Sequence, residues 1–141
     1  MEQIHNKNLI VKEVHHQNFL KAFLHNKGII EIHWDPSIDN IETIHLKKMQ
    51  ETVYELGAGQ KMPLLFMPHE FLHLTDEGAK YAVSDEGVRY TLAIAVLVDD
   101  LAKKLLFNFF LRINKPKKPT KGFSTKAEAF EWLLEIQKKN S

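Results

Sequence analysis

The sequence predicts an α/β (α+β) domain, a mixed central β-sheet of about four to six strands with about four helices packed on it. Three observations predict this: β-branched and aromatic runs that recur along the chain, helical apolar periodicity between them, and turn residues at the junctions. At 141 residues, 44% hydrophobic and 26% charged, the chain has apolar surface for one core and not for two. It has no cysteine, which excludes a disulfide framework, a thiolate metal site and a cysteine nucleophile.

Leu9-Ile10-Val11 and the segment from Phe19 to Leu24 have the composition of two strands. Asn26-Lys27-Gly28 predicts a tight turn, with Gly28 supplying the positive φ. In the next strand, Gly28 to Trp34, the period of two places Ile30, Ile32 and Trp34 on one face. Asp35-Pro36 ends it. Asp39, with Glu42 three residues on, has capping-box spacing, so a helix is expected to start there. Ile41, Ile44, His45, Met49, Thr52, Val53 and Leu56 keep its period, and Gly57-Ala58-Gly59 stops it.

Met62 to Met67 is a short, continuously apolar run, as expected of a strand covered on both faces. Thr75-Asp76-Glu77 begins a short capped helix through Val83. Thr91 to Val98 is the strongest strand pattern in the chain, and these two strands are expected at the sheet's centre. A long helix follows from Asp99-Asp100 to about Asn114, ended by Lys115-Pro116. Its Leu101, Leu105, Leu106, Phe107, Phe109, Phe110, Leu111 and Ile113 cover more of the circumference than one buried stripe requires. Pro119 to Phe123 reads as a linker or edge strand. Ser124 or Thr125 then caps a last helix with Ala129, Trp132, Leu133 and Ile136 facing inward. No repeat or low-complexity linker marks a boundary, so residues 1–141 read as one domain.

The net charge of +1 conceals an asymmetry. Residues 1–98 carry nine Lys/Arg against thirteen Asp/Glu, and residues 99–141 carry ten against five, about −4 and +5. The start of the chain lacks a signal-peptide pattern, and no apolar run reaches the length of a membrane span. A cytoplasmic location without membrane association is therefore expected.

The order strand, strand, helix, strand, helix, strand, helix, strand, helix resembles the STAS-like fold of bacterial anti-sigma-factor antagonists. In particular it resembles a SpoIIAA-like family of uncharacterised bacterial proteins. The resemblance rests on Ala93 to Val98, Asn108-Phe109-Phe110, Asn114-Lys115-Pro116, Pro119-Thr120, Phe123 and Ala129 to Leu133, and it covers roughly residues 20–137. It implies a STAS-like domain. The antagonists switch through a serine in an Asp-Ser-Ser/Thr-Gly loop at a helix N-terminus. Here the corresponding stretch runs from His69 to Gly78, with Thr75 as an unmatched counterpart among acidic neighbours that oppose a phosphate. The phosphoswitch is not expected to carry over, although modification of Thr75 or Ser84 stays open.

His69-Glu70-Phe71-Leu72-His73 has the spacing of a zinc-protease motif. That chemistry needs a helix, so that both histidines face one metal, and a third ligand. Pro68 and the strand pattern upstream oppose the helix, and no histidine follows His73. No metal or other cofactor is expected; a zinc-dependent hydrolase would have His69 and His73 as candidate ligands and only a carboxylate such as Glu77, Asp85 or Glu86 as the third. The histidines elsewhere, His15-His16 included, lack paired ligand spacing. Arg112, Lys115, Lys117 and Lys118, with Lys121 and Lys126 nearby, form a basic cluster that is either an anion site or a solvated helix end. No Gly-rich phosphate loop accompanies it, and nucleic-acid binding is not expected.

The leading expectation is a non-enzymatic STAS-like regulatory or interaction module, dimeric through Leu106, Phe107, Phe109 and Phe110 of the over-hydrophobic helix. The alternative is a binding protein for a small apolar or anionic ligand beside that helix, with Arg112 and Lys115 at the mouth.

Overall fold

The computed structural model describes residues 9–69 and 72–140. Strands β1 (Ile10–His16), β2 (Leu20–His25) and β3 (Ile30–Trp34) form an antiparallel meander. Its two reversals contain Asn18 and Gly28, at φ 65° and 87°, a left-handed conformation that asparagine and glycine tolerate. Alternation then sorts the side chains. Leu20, Ala22, Ile30, Ile32 and Trp34 enter one apolar cluster, while Phe23, His25, Glu31 and His33 lie on the opposite face.

The chain continues through β4 (Asn40–Ile41), α1 (Thr43–Leu56), β5 (Met62–Phe66), β6 (His73–Leu74), α2 (Asp76–Ala82), β7 (Thr91–Leu97), α3 (Leu101–Asn114), β8 (Thr120–Phe123) and α4 (Lys126–Lys139). The main sheet has the order β1-β2-β3-β5-β7-β8, antiparallel through β3 and parallel beyond it. β4 and β6 pair separately. Right-handed crossovers that step one way across a sheet carry their helices to one face, and α1, α2 and α3 make those steps. α4 follows the edge strand and covers the other face.

The two apolar clusters show this division. Leu46, Met49, Val53 and Leu56 of α1 pack with Ile30, Ile32 and Leu64, whereas Ala129, Phe130 and Leu133 of α4 pack with Leu65, Ala93 and Ala95. β5 is therefore covered on both faces, as its continuous apolar run predicts. β7 is not. Its Thr91, Ala93 and Ala95 are buried, but Leu92, Ile94 and Val96 are half-buried, so the centre belongs to β3 and β5 rather than to β5 and β7.

Local details also differ from the sequence reading. Asn40 and Ile41 are drawn into β4 by pairing with His73 and Leu74, which moves the α1 cap to Glu42. The Glu42 backbone N–H donates to His45 Nδ1 at 2.9 Å, so a histidine serves where capping boxes use glutamate. Ile44, expected inward, is 63% exposed, and Leu46 and Gln50 take the buried positions. In α4, Phe130 joins the inward set and Trp132 is only partly covered.

Replacing Leu64 by alanine should cost about 2–5 kcal/mol of unfolding free energy, because its full burial leaves a cavity. Ile44→Ala should change it by less than about 0.5 kcal/mol. Chemical denaturation of the two variants checks this, and equal losses would place Ile44 in the core.

Candidate functional site

α3 is the outermost of the three helices on its face. α2 flanks it on one side, and β8, the edge strand, leaves no further crossover to cover the other. Phe107 meets the sheet at Gly122, where a Cβ would come 3.0 Å from both the Phe107 ring and Val98. Glycine permits that approach. Phe107, Phe110 and Leu111 are half-buried on this packed side. On the opposite side Leu101, Leu105, Phe109 and Ile113 are 71%, 60%, 61% and 62% exposed, one every four residues, with Leu106 beside them.

No α3 residue is buried, so the helix is less a core element than its apolar content suggests. The expected interaction residues divide accordingly. Phe109 belongs to the open row and Leu106 lies beside it, whereas Phe107 and Phe110 are half-buried on the packed side.

The basic residues lie at the C-terminal end of this helix. Arg112 is exposed in its last turn, and Lys115 is the left-handed cap, its N–H donating to the Leu111 carbonyl at 3.3 Å. Lys117 donates to Asp85 at 2.8 Å, and that hydrogen bond, then its charge, holds Asp85 below the usual carboxylate range. Lys118 contacts Lys61, a residue outside the cluster expected from sequence. That side-chain contact, then desolvation and the Lys61 charge, lowers the Lys118 pKa. Lys117 is thus committed to an internal partner, and Lys118 faces a second cation.

His69 and His73 do not lie on a helix among the described residues: His69 is in a coil and His73 is in β6. Glu70 and Phe71 lie outside the described residues. His69 Nε2 hydrogen-bonds the Ile38 carbonyl at 2.7 Å, and no group of three or more His, Asp or Glu suited to a metal occurs among the described residues. The Thr75 hydroxyl accepts from Gly78 N as the α2 cap, and Ser84 donates to the Tyr81 carbonyl at 2.6 Å. Both hydroxyls therefore have local structural partners.

A second constellation was missed by the sequence reading. On the α4 face of the meander, the Glu31 carboxylate accepts from His25 Nε2 at 3.0 Å, His33 Nε2 at 2.5 Å and Lys126 Nζ at 2.7 Å. Glu31 and His25 are only 5% and 4% exposed. Burial, the largest single influence, raises the Glu31 pKa. The hydrogen bonds from His33, Lys126 and His25 and the Lys126 charge together outweigh it and hold the group at about 2. His25 also meets the Phe130 ring edge-on at 4.8 Å. The alternation of Glu31 and His33 with Ile30, Ile32 and Trp34 signals a polar second face. The arrival of Lys126 from the last helix leaves no local trace in sequence.

This geometry defines a mixed α/β domain with three helices on one face and one on the other, an outward apolar helix and a buried carboxylate centre. Residues 23–137 match the family model described as Domain of unknown function (DUF7793), and the chain belongs to that family. No curated protein matches it. Among solved structures it is similar to an uncharacterized protein from the DUF3478 family with a SpoIIAA-like fold, from Shewanella loihica PV-4. That similarity covers 91% of this chain and 96% of the other, at 13% identity and a TM-score of 0.49. A protein with unknown function from Arthrobacter sp. FB24 is similar at 24% identity, over 79% of this chain and 96% of its own, with a TM-score of 0.28.

The Glu31 centre makes stability depend on acid. A carboxyl whose folded pKa lies below its ordinary 4.5 contributes stability above that value and loses it as pH falls toward about 2. The difference corresponds to about 3 kcal/mol. Glu31→Gln should lose on the order of that amount at neutral pH and show a shallower fall of stability across the acid range. Urea titrations at a series of pH values check this; parallel curves for the two proteins would refute it.

Proposed function

We propose that the domain is a non-enzymatic regulatory or protein-interaction module that works as a homodimer through the open face of α3. The row Leu101, Leu105, Phe109 and Ile113 carries this reading. Fully burying one such side chain is worth about 1.5–3 kcal/mol, so an exposed row of four favours a covering surface. Residues four apart form a ridge along a helix, and two such ridges interdigitate. A second copy offers the same ridge about a two-fold axis. Antiparallel pairing would set Asp99 and Asp100 of one copy near Arg112 and Lys115 of the other, and would oppose the two helix dipoles.

A cysteine-free composition supports a reducing, cytoplasmic setting. No helix among the described residues is long and apolar enough to cross a membrane. Binding of a small ligand beside α3 has weaker support, because two surface cavities are lined by other elements. One, of about 270 Å³, is walled by His25, Lys126, Ala127 and Phe130; the other, of about 360 Å³, lies between the starts of α1 and α2.

Light scattering on the eluting protein should give twice the chain mass. The double variant Leu105→Asp/Phe109→Asp should elute as a folded monomer with stability changed by less than about 1 kcal/mol. Phe107→Asp should instead destabilise the domain. A wild-type protein that stays monomeric at high concentration would overturn the dimer.

A further inference from the structure

The sheet ends on one side in β8, and that edge is open. The Ile94 N–H donates to the Pro119 carbonyl and the Val98 N–H to the Phe123 carbonyl, both at 2.8 Å. In a parallel ladder a residue bonded to its neighbour turns both its N–H and its C=O that way, and the next residue turns both away. Lys121 and Phe123 therefore serve β7, whereas Thr120 and Gly122 present their N–H and C=O groups outward. No strand among the described residues takes them up. Proline can guard an edge by removing a donor, but Pro119 faces β7 and leaves the open side complete. β1, the opposite edge, is broken by a bulge between Ile10 and Lys12 and offers no such continuous ladder.

The side chains beside this edge select what fits. Lys121 is exposed on the α4 side of the sheet, its Nζ 5.4 Å from the centroid of the Phe123 ring. Phe123 lies 5.4 Å from the Trp132 ring, and both are half-buried. Residues 115–127 contain five lysines and no acid. Lys117 and Lys126 hold Asp85 and Glu31, whereas among the described residues no carboxylate forms an ion pair with Lys115, Lys118 or Lys121. A second β8 would bring the same lysines and be repelled. An acidic strand is attracted.

We propose that the β8 edge accepts an extended acidic segment of a partner protein as a further strand of the sheet. The segment's backbone bonds the outward groups of Thr120 and Gly122, and an acidic side chain on it meets Lys121. An apolar side chain two residues along, on the same face, meets Phe123 and Trp132. On the other face Phe107 and Val98 stand beside Gly122 and receive an apolar side chain. Backbone bonds supply affinity for any strand, and the lysines admit one sign of charge. The surface uses none of Leu101, Leu105, Phe109 or Ile113, so it adds to the homodimer reading without depending on it.

A short capped peptide of alternating glutamate and valine, titrated into the full chain and followed by ¹⁵N–¹H NMR, tests the edge. The Thr120 and Gly122 amides should shift saturably, and hydrogen exchange at Gly122 should slow at least about tenfold at saturation. The matched lysine and valine peptide should not bind. Lys121→Glu should weaken the acidic peptide about tenfold and admit the basic one. Thr120→Pro removes one outward N–H, leaves the bonds to β7 in place, and should weaken binding about fivefold. Unshifted signals elsewhere show that each variant is folded. The Leu105→Asp/Phe109→Asp protein should take up the peptide as the wild type does, so loss of the dimer and loss of this site are read separately. Equal binding of the two peptides, wild-type affinity in both edge variants, unchanged exchange at Gly122, or a Gly122 amide protected by a second copy before peptide is added would each overturn the proposal.

Discussion

The handedness of the crossovers is the constraint on which the rest of this structure depends. From β3 to β8 every step runs in the same direction, and a right-twisted chain can make such steps only with its helices on one face. Three helices therefore crowd one side, and one remains for the other. Both surfaces of interest follow. α3, last in the row, has a neighbour on one flank only, and α4, alone on its face, covers β5, β7 and β8 and meets the meander only along its edge, at His25, Glu31 and the Gly28 turn.

That unequal cover explains the chemistry of the meander's second face. Without a full helix above it, this face tolerates Glu13, His15, Phe23, Glu31 and His33, and their side chains associate laterally. His15 Nε2 lies 2.8 Å from a Glu13 oxygen, and the Phe23 ring touches His15 at 5.9 Å and His33 at 5.6 Å. Glu31 sits where cover begins. A carboxylate there would be costly alone, since a buried charge needs a partner, and Lys126 with two imidazoles supplies three. The same contacts fasten the start of α4 to the sheet and fix the orientation of His25.

Much of the fold was legible because it is written in short-range patterns. The continuous run Met62 to Met67 marked a strand covered on both faces, and a cap was readable at Thr75 and at Ser124 or Thr125, of which Thr125 takes the role, because capping is a contact three residues long. Asp39 misled for an equally physical reason. Its capping spacing is real, but pairing of Asn40 and Ile41 with a segment more than thirty residues away claims that backbone first. Ile44 likewise fits a helical apolar stripe and yet stands outside it, because where α1 rests on the sheet is a tertiary matter.

The sequence by itself determined the α/β class, the succession of the long strands and helices without the short pair β4 and β6, the glycine turn and the excess apolar content of residues 101–113, since propensity, period and capping act within a few residues. Only the tertiary structure decided which of those apolar residues face outward and that Lys126 meets Glu31. Those outcomes depend on how distant elements are stacked, and stacking is set by the hand and direction of the crossovers rather than by any local pattern.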